Sequence, residues 1–186
     1  RDDIFNYQQK FYSADNLVVA VAGNHPHHEI VRMVTELMGE MKPQELAKRP
    51  LLKAELSPER TSTLVKETNQ AHIMIGSQAY AYNHANDAAA RVIANMLGAG
   101  MSSRLFTNVR ERQGLAYSVY TYYSNFMDSG LFSVYAGVNL DKTEQAIKSI
   151  MHELDRICTE LVNPGELEKV NNKMSGSLQM ALENNF

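Results

Sequence analysis

Gly98-Ala-Gly100-Met-Ser102-Ser103-Arg104-Leu105-Phe106-Thr-Asn-Val-Arg110-Glu-Arg112-Gln-Gly114-Leu115-Ala-Tyr117 reads as a glycine-flanked turn, a short helix and a strand entry within twenty residues. Gly98 and Gly100 follow an apolar-periodic segment and are expected to supply the positive φ of a helix C-terminus, with Ser102 or Ser103 capping the next helix. Gly114 then ends that helix, and Leu115 onward reads as strand. Arg110 and Tyr117 stand on either side of Gly114. A turn there would bring a guanidinium and a phenol to one wall.

Working outward, Ala89, Val92, Ile93, Met96 and Leu97 carry a helix over about Asp87–Leu97. After the central stretch, Tyr117–Tyr123 and Leu131–Val138 alternate as an antiparallel pair joined through Asp128-Ser129-Gly130. Two helices follow, the first opened by a capping box of Asp141 and Glu144, the second by Asn163 as cap with Glu166 reaching back. Upstream, Thr61–Lys66 and Ala71–Ser77 read as paired strands turning at Asn69, and Lys42–Arg60, with three prolines and no period, as a surface linker. Ile4–Tyr12 has helical spacing. Leu17–Ala22 is a valine-rich run suited to a buried strand, and a helix starting near Pro26 buries a stripe of Ile30, Val34, Leu37, Met38 and Met41. This order of strand pairs and helix pairs predicts an α+β fold, a mainly antiparallel sheet with helices packed on one face.

The net charge of −3, from 18 basic and 21 acidic residues, argues against a nucleic-acid surface. Cys158 is the single cysteine, so no internal disulfide forms, and its place in a helical pattern predicts packing. No apolar run approaches the ~18 residues of a membrane helix, and no signal-peptide pattern is visible within these residues. A soluble protein is expected, with cytoplasm and bacterial periplasm both open. A start at Arg1 and an end at Phe186 inside a helical pattern suggest a piece of a longer protein.

The central stretch resembles the second-half signature of the pitrilysin/insulinase-type zinc metallopeptidases, the M16 family that includes the mitochondrial processing peptidases. Phe11-Tyr12-Ser-Ala-Asp15-Asn16 with the valine run to Gly23 is similar to the segment closing that family's first domain. Gln70-Ala-His72, Ser102-Ser-Arg104-Leu-Phe106 and Arg110 through Tyr117 are similar to its second. The resemblance implies the fold shared by LuxS and processing-peptidase-like metallohydrolases. Residues 1–42 would end a catalytic-type first domain, 43–60 would link, and 61–186 would form a second, inactive peptidase-like domain truncated at its C-terminus.

The same resemblance implies a role. The second domain would form one wall of a peptide-binding chamber, with Arg110 and Tyr117 projecting toward a zinc site on the first. Arginine's planar fork suits a peptide carbonyl or carboxylate, and a phenol can donate to an oxygen that becomes negative during attack. Arg104, Gly114 and His72 would be structural residues near that site. The partners implied are an extended or unfolded peptide and an N-terminal catalytic domain, on the same chain or on a partner subunit, with a dimer allowed. The alternative is a zinc-less relative acting as a docking or scaffold subunit beside an active partner.

The chain's own histidines do not make the zinc site. His25, His27 and His28 cluster around Pro26 without bracketing a glutamate, and His152-Glu153 begins His-Glu-x-x-His but meets Arg156, which cannot ligate zinc. The family's His-x-x-Glu-His is absent from this sequence. The zinc of the parent protein is therefore expected to have its ligands outside this segment, which by itself should not hydrolyse peptides. Surface histidines are the plain reading, a weak adventitious metal site at 25–28 the alternative. Tyrosines 80, 82, 117, 120, 122, 123 and 135 make an aromatic-rich middle, mostly packing, with a subset available to an extended peptide.

Overall fold

Ala71–Ala79, Ala116–Asn125 and Gly130–Val138 form β1, β2 and β3 of the computed structural model, which describes residues 1–45, 62–64 and 67–183; burial alternates along the first half of β1, while β3 is mostly buried. β3 lies between β1 and β2, antiparallel to both. The β2–β3 hairpin closes where Phe126 N donates to Ser129 O at 2.8 Å, the turn expected from Asp128-Ser129-Gly130. β1 pairs with β3. Of the partner expected at Thr61–Lys66, residues 62–64 form no ladder and the remainder lies outside the described residues. So does most of the segment read as a linker.

The chain divides into two compact units, Arg1–Leu51 with Leu182–Phe186, and Leu52–Ala181. In the larger, one face of the sheet is closed by helices. Ala116, Val119, Val134, Ala136 and Val138 from that face pack with Leu97, Leu105, Val109, Ala146 and Ile150 into one buried cluster. Leu97 ends α3 (Asp87–Gly98), and Ala146 and Ile150 lie on α4 (Thr143–Thr159). α5 (Pro164–Glu183) opens where Asn163 Oδ1 accepts from Gly165 N at 2.8 Å. The helical face is amphipathic, so burying it removes apolar area from water at roughly 25 cal/mol per Å².

Three local expectations are corrected. Asp141 and Glu144 form no capping box, because a 3-10 turn at Leu140–Lys142 precedes α4 and Glu144 instead pairs with Lys148. Gly98 does not take positive φ. It is needed because a Cβ there would sit 2.3 Å from Thr121 N on β2. Cys158 is exposed, lining an apolar groove of about 840 Å³ with Ile75, Ile93, Phe132 and Met151.

The smaller unit holds α1 (Asp2–Phe11), a 3-10 turn at Ala14–Asn16 and α2 (His27–Met38). Both helices stand where the periodicity puts them. Neither has a fully buried residue, and Ser13 is the unit's one buried residue among those described. The Leu17–Ala22 run pairs with no strand among the described residues, and Val18 is 91% exposed. A valine-rich run becomes a buried strand only where a ladder partner and a covering layer exist, and the described residues of this unit supply neither.

Candidate functional site

The central stretch folds into a rarer form of helix than its spacing suggests. After one α-type step at Arg104–Leu105 the backbone widens to i→i+5 bonding over Phe106–Arg112, a seven-residue π-turn. Such turns are short, uncommon and concentrated at functional sites. No side chain caps it; Ser103 Oγ instead donates to Gly100 O at 2.7 Å. Gly114 ends it with φ +59°, its N–H donating to Arg110 O at 3.0 Å while Leu115 N donates to Val109 O at 3.0 Å. A Cβ at Gly114 would meet open space, so the left-handed backbone alone asks for glycine.

This turn presents Arg110, whose guanidinium carbon lies 4.6 Å from the centre of the Phe106 ring and whose one ion-pair neighbour among the described residues is Glu111 at 3.9 Å. Tyr117 sits in a β-bulge. Ala116 faces Val138 and Ser118 faces the next residue back, Gly137, leaving Tyr117 as the extra, unpaired residue of β2. A bulge redirects a side chain out of the regular alternation, and Tyr117 is 79% exposed. Among the described residues no hydrogen bond or ring contact joins Arg110 to Tyr117.

The face of the sheet opposite the helices carries an aromatic row. Tyr120 stacks on Tyr135 at 4.8 Å between ring centres, and the Tyr135 hydroxyl lies 2.8 Å from His72 Nδ1, so the cluster crosses all three strands. Gly137 makes room for it, since a Cβ there would lie 3.4 Å from the Tyr135 oxygen and 3.1 Å from Ser118 Oγ. Met74 and Tyr122 extend the same face and stay exposed. The alternation revealed these tyrosines, but the bulge left no signal in composition.

Arg104 grips the start of α5. Its Nε and Nη2 donate to Glu166 Oε1 and Oε2 at 2.7 and 2.8 Å, a bidentate pair that holds the Glu166 carboxyl below its usual range. Glu166 is thus spent on this pair and does not reach back as a helix cap. Glu153, only 3% exposed, accepts from Asn108 Nδ2 at 2.8 Å and Arg156 Nη1 at 3.2 Å. Arg156 also forks onto Glu160, raising the guanidinium pKa and lowering that carboxyl's. The sequence reading noticed Glu153 only as the second letter of a broken zinc motif.

Comparison with known proteins places this fold. The family model described as the peptidase M16 inactive domain matches residues 1–174. The chain belongs to this family. An uncharacterized zinc protease of Streptomyces coelicolor is 37% identical over 188 residues, covering 98% of this chain and 41% of that protein. The uncharacterized zinc protease YmxG of Bacillus subtilis is 35% identical over 182 residues, covering 98% and 44%. This M16 inactive domain therefore spans less than half the length of these relatives. In structure it is similar to a protease from Helicobacter pylori, with a TM-score of 0.80 at 20% identity over 98% of this chain and 46% of that one. It is also similar to a chain of Complex III2 from Candida albicans, with a TM-score of 0.71 at 19% identity over 100% and 46%.

The relatives are named for zinc, yet the described residues do not fit the ion. Among the described residues no group of three His, Cys, Asp or Glu side chains comes together as a metal site, and His152 and Glu153 are followed by Arg156 where a second histidine would stand. None of the described helices is long and apolar enough to cross a membrane.

Proposed function

We propose that this M16 inactive domain is one wall of a peptide-binding chamber and supplies two substrate contacts, Arg110 and Tyr117, to a zinc metalloendopeptidase whose metal ligands lie on other residues of the parent protein. In this reading residues 1–42 end a catalytic-type domain, 43–60 link, and 61–186 form the wall. The partner is an N-terminal catalytic domain on the same chain or on a second subunit, an arrangement that allows a dimer. One observation carries the reading: a guanidinium on a π-turn and a phenol in a β-bulge lie within seven residues, on opposite sides of a left-handed glycine, and both keep exposed surface. π-turns and β-bulges are both over-represented beside functional sites.

The roles follow from the groups. Arg110 carries a fixed fork of donors suited to a peptide carbonyl or carboxylate, and its stacking on Phe106 limits its rotation. Tyr117 offers one hydroxyl donor to a carbonyl oxygen that gains charge during attack. The aromatic row of Tyr120, Tyr135 and His72 offers flat apolar area to an extended chain.

The test is kinetic, in the full-length protein. Tyr117→Phe should lower kcat by about ten- to a thousandfold, as loss of one oxyanion donor does, with zinc content unchanged. Arg110→Ala should raise KM by about tenfold or more with a smaller effect on kcat. Unchanged turnover in Tyr117→Phe would remove that residue from the mechanism. The second reading, a scaffold subunit without zinc, draws on the same fold occurring in a chain of Complex III2. Peptide binding without cleavage or bound zinc in the full-length protein would favour it.

A further inference from the structure

Three contacts tie the π-turn to α4 and the residues leading into it. Asn108 Nδ2 donates to the buried Glu153 carboxylate at 2.8 Å, Gln113 Nε2 donates to Ser149 Oγ at 2.8 Å, and Lys142 Nζ donates to Gly114 O at 3.0 Å. Ser149, Glu153 and Arg156 follow one another at helical intervals, forming a polar stripe beside the buried Ala146 and Ile150. A π-turn is seldom stable on its own, so its form and rotation must be imposed by its neighbours. Residues two apart on a helix point to different sides. The turn's Asn108 side is thus bound to α4 while Arg110, two residues on, is left partly exposed.

We infer that Glu153 is a positioning residue: by holding Asn108, and through it Arg112, it sets the rotation of the π-turn and hence the direction in which Arg110 meets a peptide. The inference rests on the clamp role proposed above for Arg110. A buried carboxylate adds little stability over an apolar residue of similar volume, because desolvation offsets its attraction to Arg156. What it does provide is direction. Asn108 is fixed from both ends, its Nδ2 donating to Glu153 and its Oδ1 accepting from Arg112 Nη1 at 3.1 Å. A hydrogen-bonded amide with both ends engaged has one orientation, whereas apolar contacts tolerate several.

The experiment uses the full-length protein and a fluorescein-labelled unstructured peptide, with Kd measured by anisotropy in metal-free and zinc-loaded samples. Glu153→Leu should weaken binding about five- to fiftyfold, and Glu153→Gln, which keeps an oxygen for Asn108, should stay within about threefold of the unaltered protein. Combining Glu153→Leu with Arg110→Ala should bind no more weakly than Arg110→Ala alone, since the two act through one contact. Hydrogen exchange at the amides of residues 109–114 should quicken about tenfold in Glu153→Leu. Asn108→Ala probes the same bond from the π-turn side should Glu153→Leu fail to fold, with the same expected losses. Unchanged Kd or unchanged exchange in the folded variants overturns the positioning role, as does a full additional loss on the Arg110→Ala background. Unchanged binding in Arg110→Ala itself would instead remove the clamp, and the positioning role with it.

Discussion

The two faces of the three-stranded sheet are written by the same strands and have opposite fates. On one face Val134, Ala136 and Val138 are completely or almost completely buried under helices; on the other Met74 is 69% exposed and Tyr120 and Tyr122 remain open. The covered face is aliphatic, with Ile73, Ile75, Val119, Val134, Ala136 and Val138, whereas the open face carries His72, Met74, Tyr120, Tyr122 and Tyr135. The difference is a covering layer. α3 can approach closely enough to seal its face because Gly98 lacks a Cβ, and Asp87 at the start of α3 accepts from Tyr123 and Asn125 of β2 at 2.6 and 2.9 Å. No such layer covers the aromatic row among the described residues. Substitutions should therefore separate cleanly, the covered face altering stability and the open face altering binding.

The largest effect is expected at Leu105, fully buried at the start of the π-turn. Leu105→Ala should destabilise the fold by about 2–5 kcal/mol in urea or thermal unfolding, the range of large-to-small changes in packed cores. A loss well under that range would mean the covered face is loosely packed. Gly98→Ala comes next. The added methyl must displace β2 backbone rather than a flexible side chain, and a loss of about 1–3 kcal/mol is expected.

Asp87→Asn should show its effect through pH. Hydrogen bonds from Tyr123 first, then from Arg91, hold the Asp87 carboxyl below its ordinary pKa. A depressed carboxylate stabilises the fold above its unfolded pKa of about 4, and that contribution fades as pH falls through the folded value. The Tm gap between the unaltered protein and Asp87→Asn should thus be widest near neutral pH and close below about pH 4. A gap independent of pH would assign Asp87 a purely steric role. Met74→Ser, on the open face, is the smallest case. It should leave stability within about 0.5 kcal/mol, and a larger loss would show that this face is buried in the full-length protein.

Much of this could be read before any coordinates. The β2–β3 hairpin, α3, α4 and α5 follow from alternation, helical period and turn residues, and the family signature runs through Ser102, Arg104, Arg110 and Tyr117. The misreadings share a cause. Leu17–Ala22 looks like a core strand and finds no ladder partner among the described residues, while Asp141 and Glu144 look like a capping box and are not one. In each, local pattern states what a segment can do, and the availability of a partner decides whether it does.

The sequence by itself determined which segments would be helix or strand, where Gly114 would break the chain, and that no zinc motif lies within these residues, because propensity, periodicity and ligand spacing are properties of neighbours along the chain. Only tertiary structure decided that the helix after Ser103 would widen into a π-turn, that Tyr117 would be displaced into a bulge, and that Glu153 would be buried against Asn108. Those three depend on contacts between residues far apart in sequence, such as the 45 positions separating Asn108 from Glu153, where close packing and the demand that buried polar groups find partners override local preference.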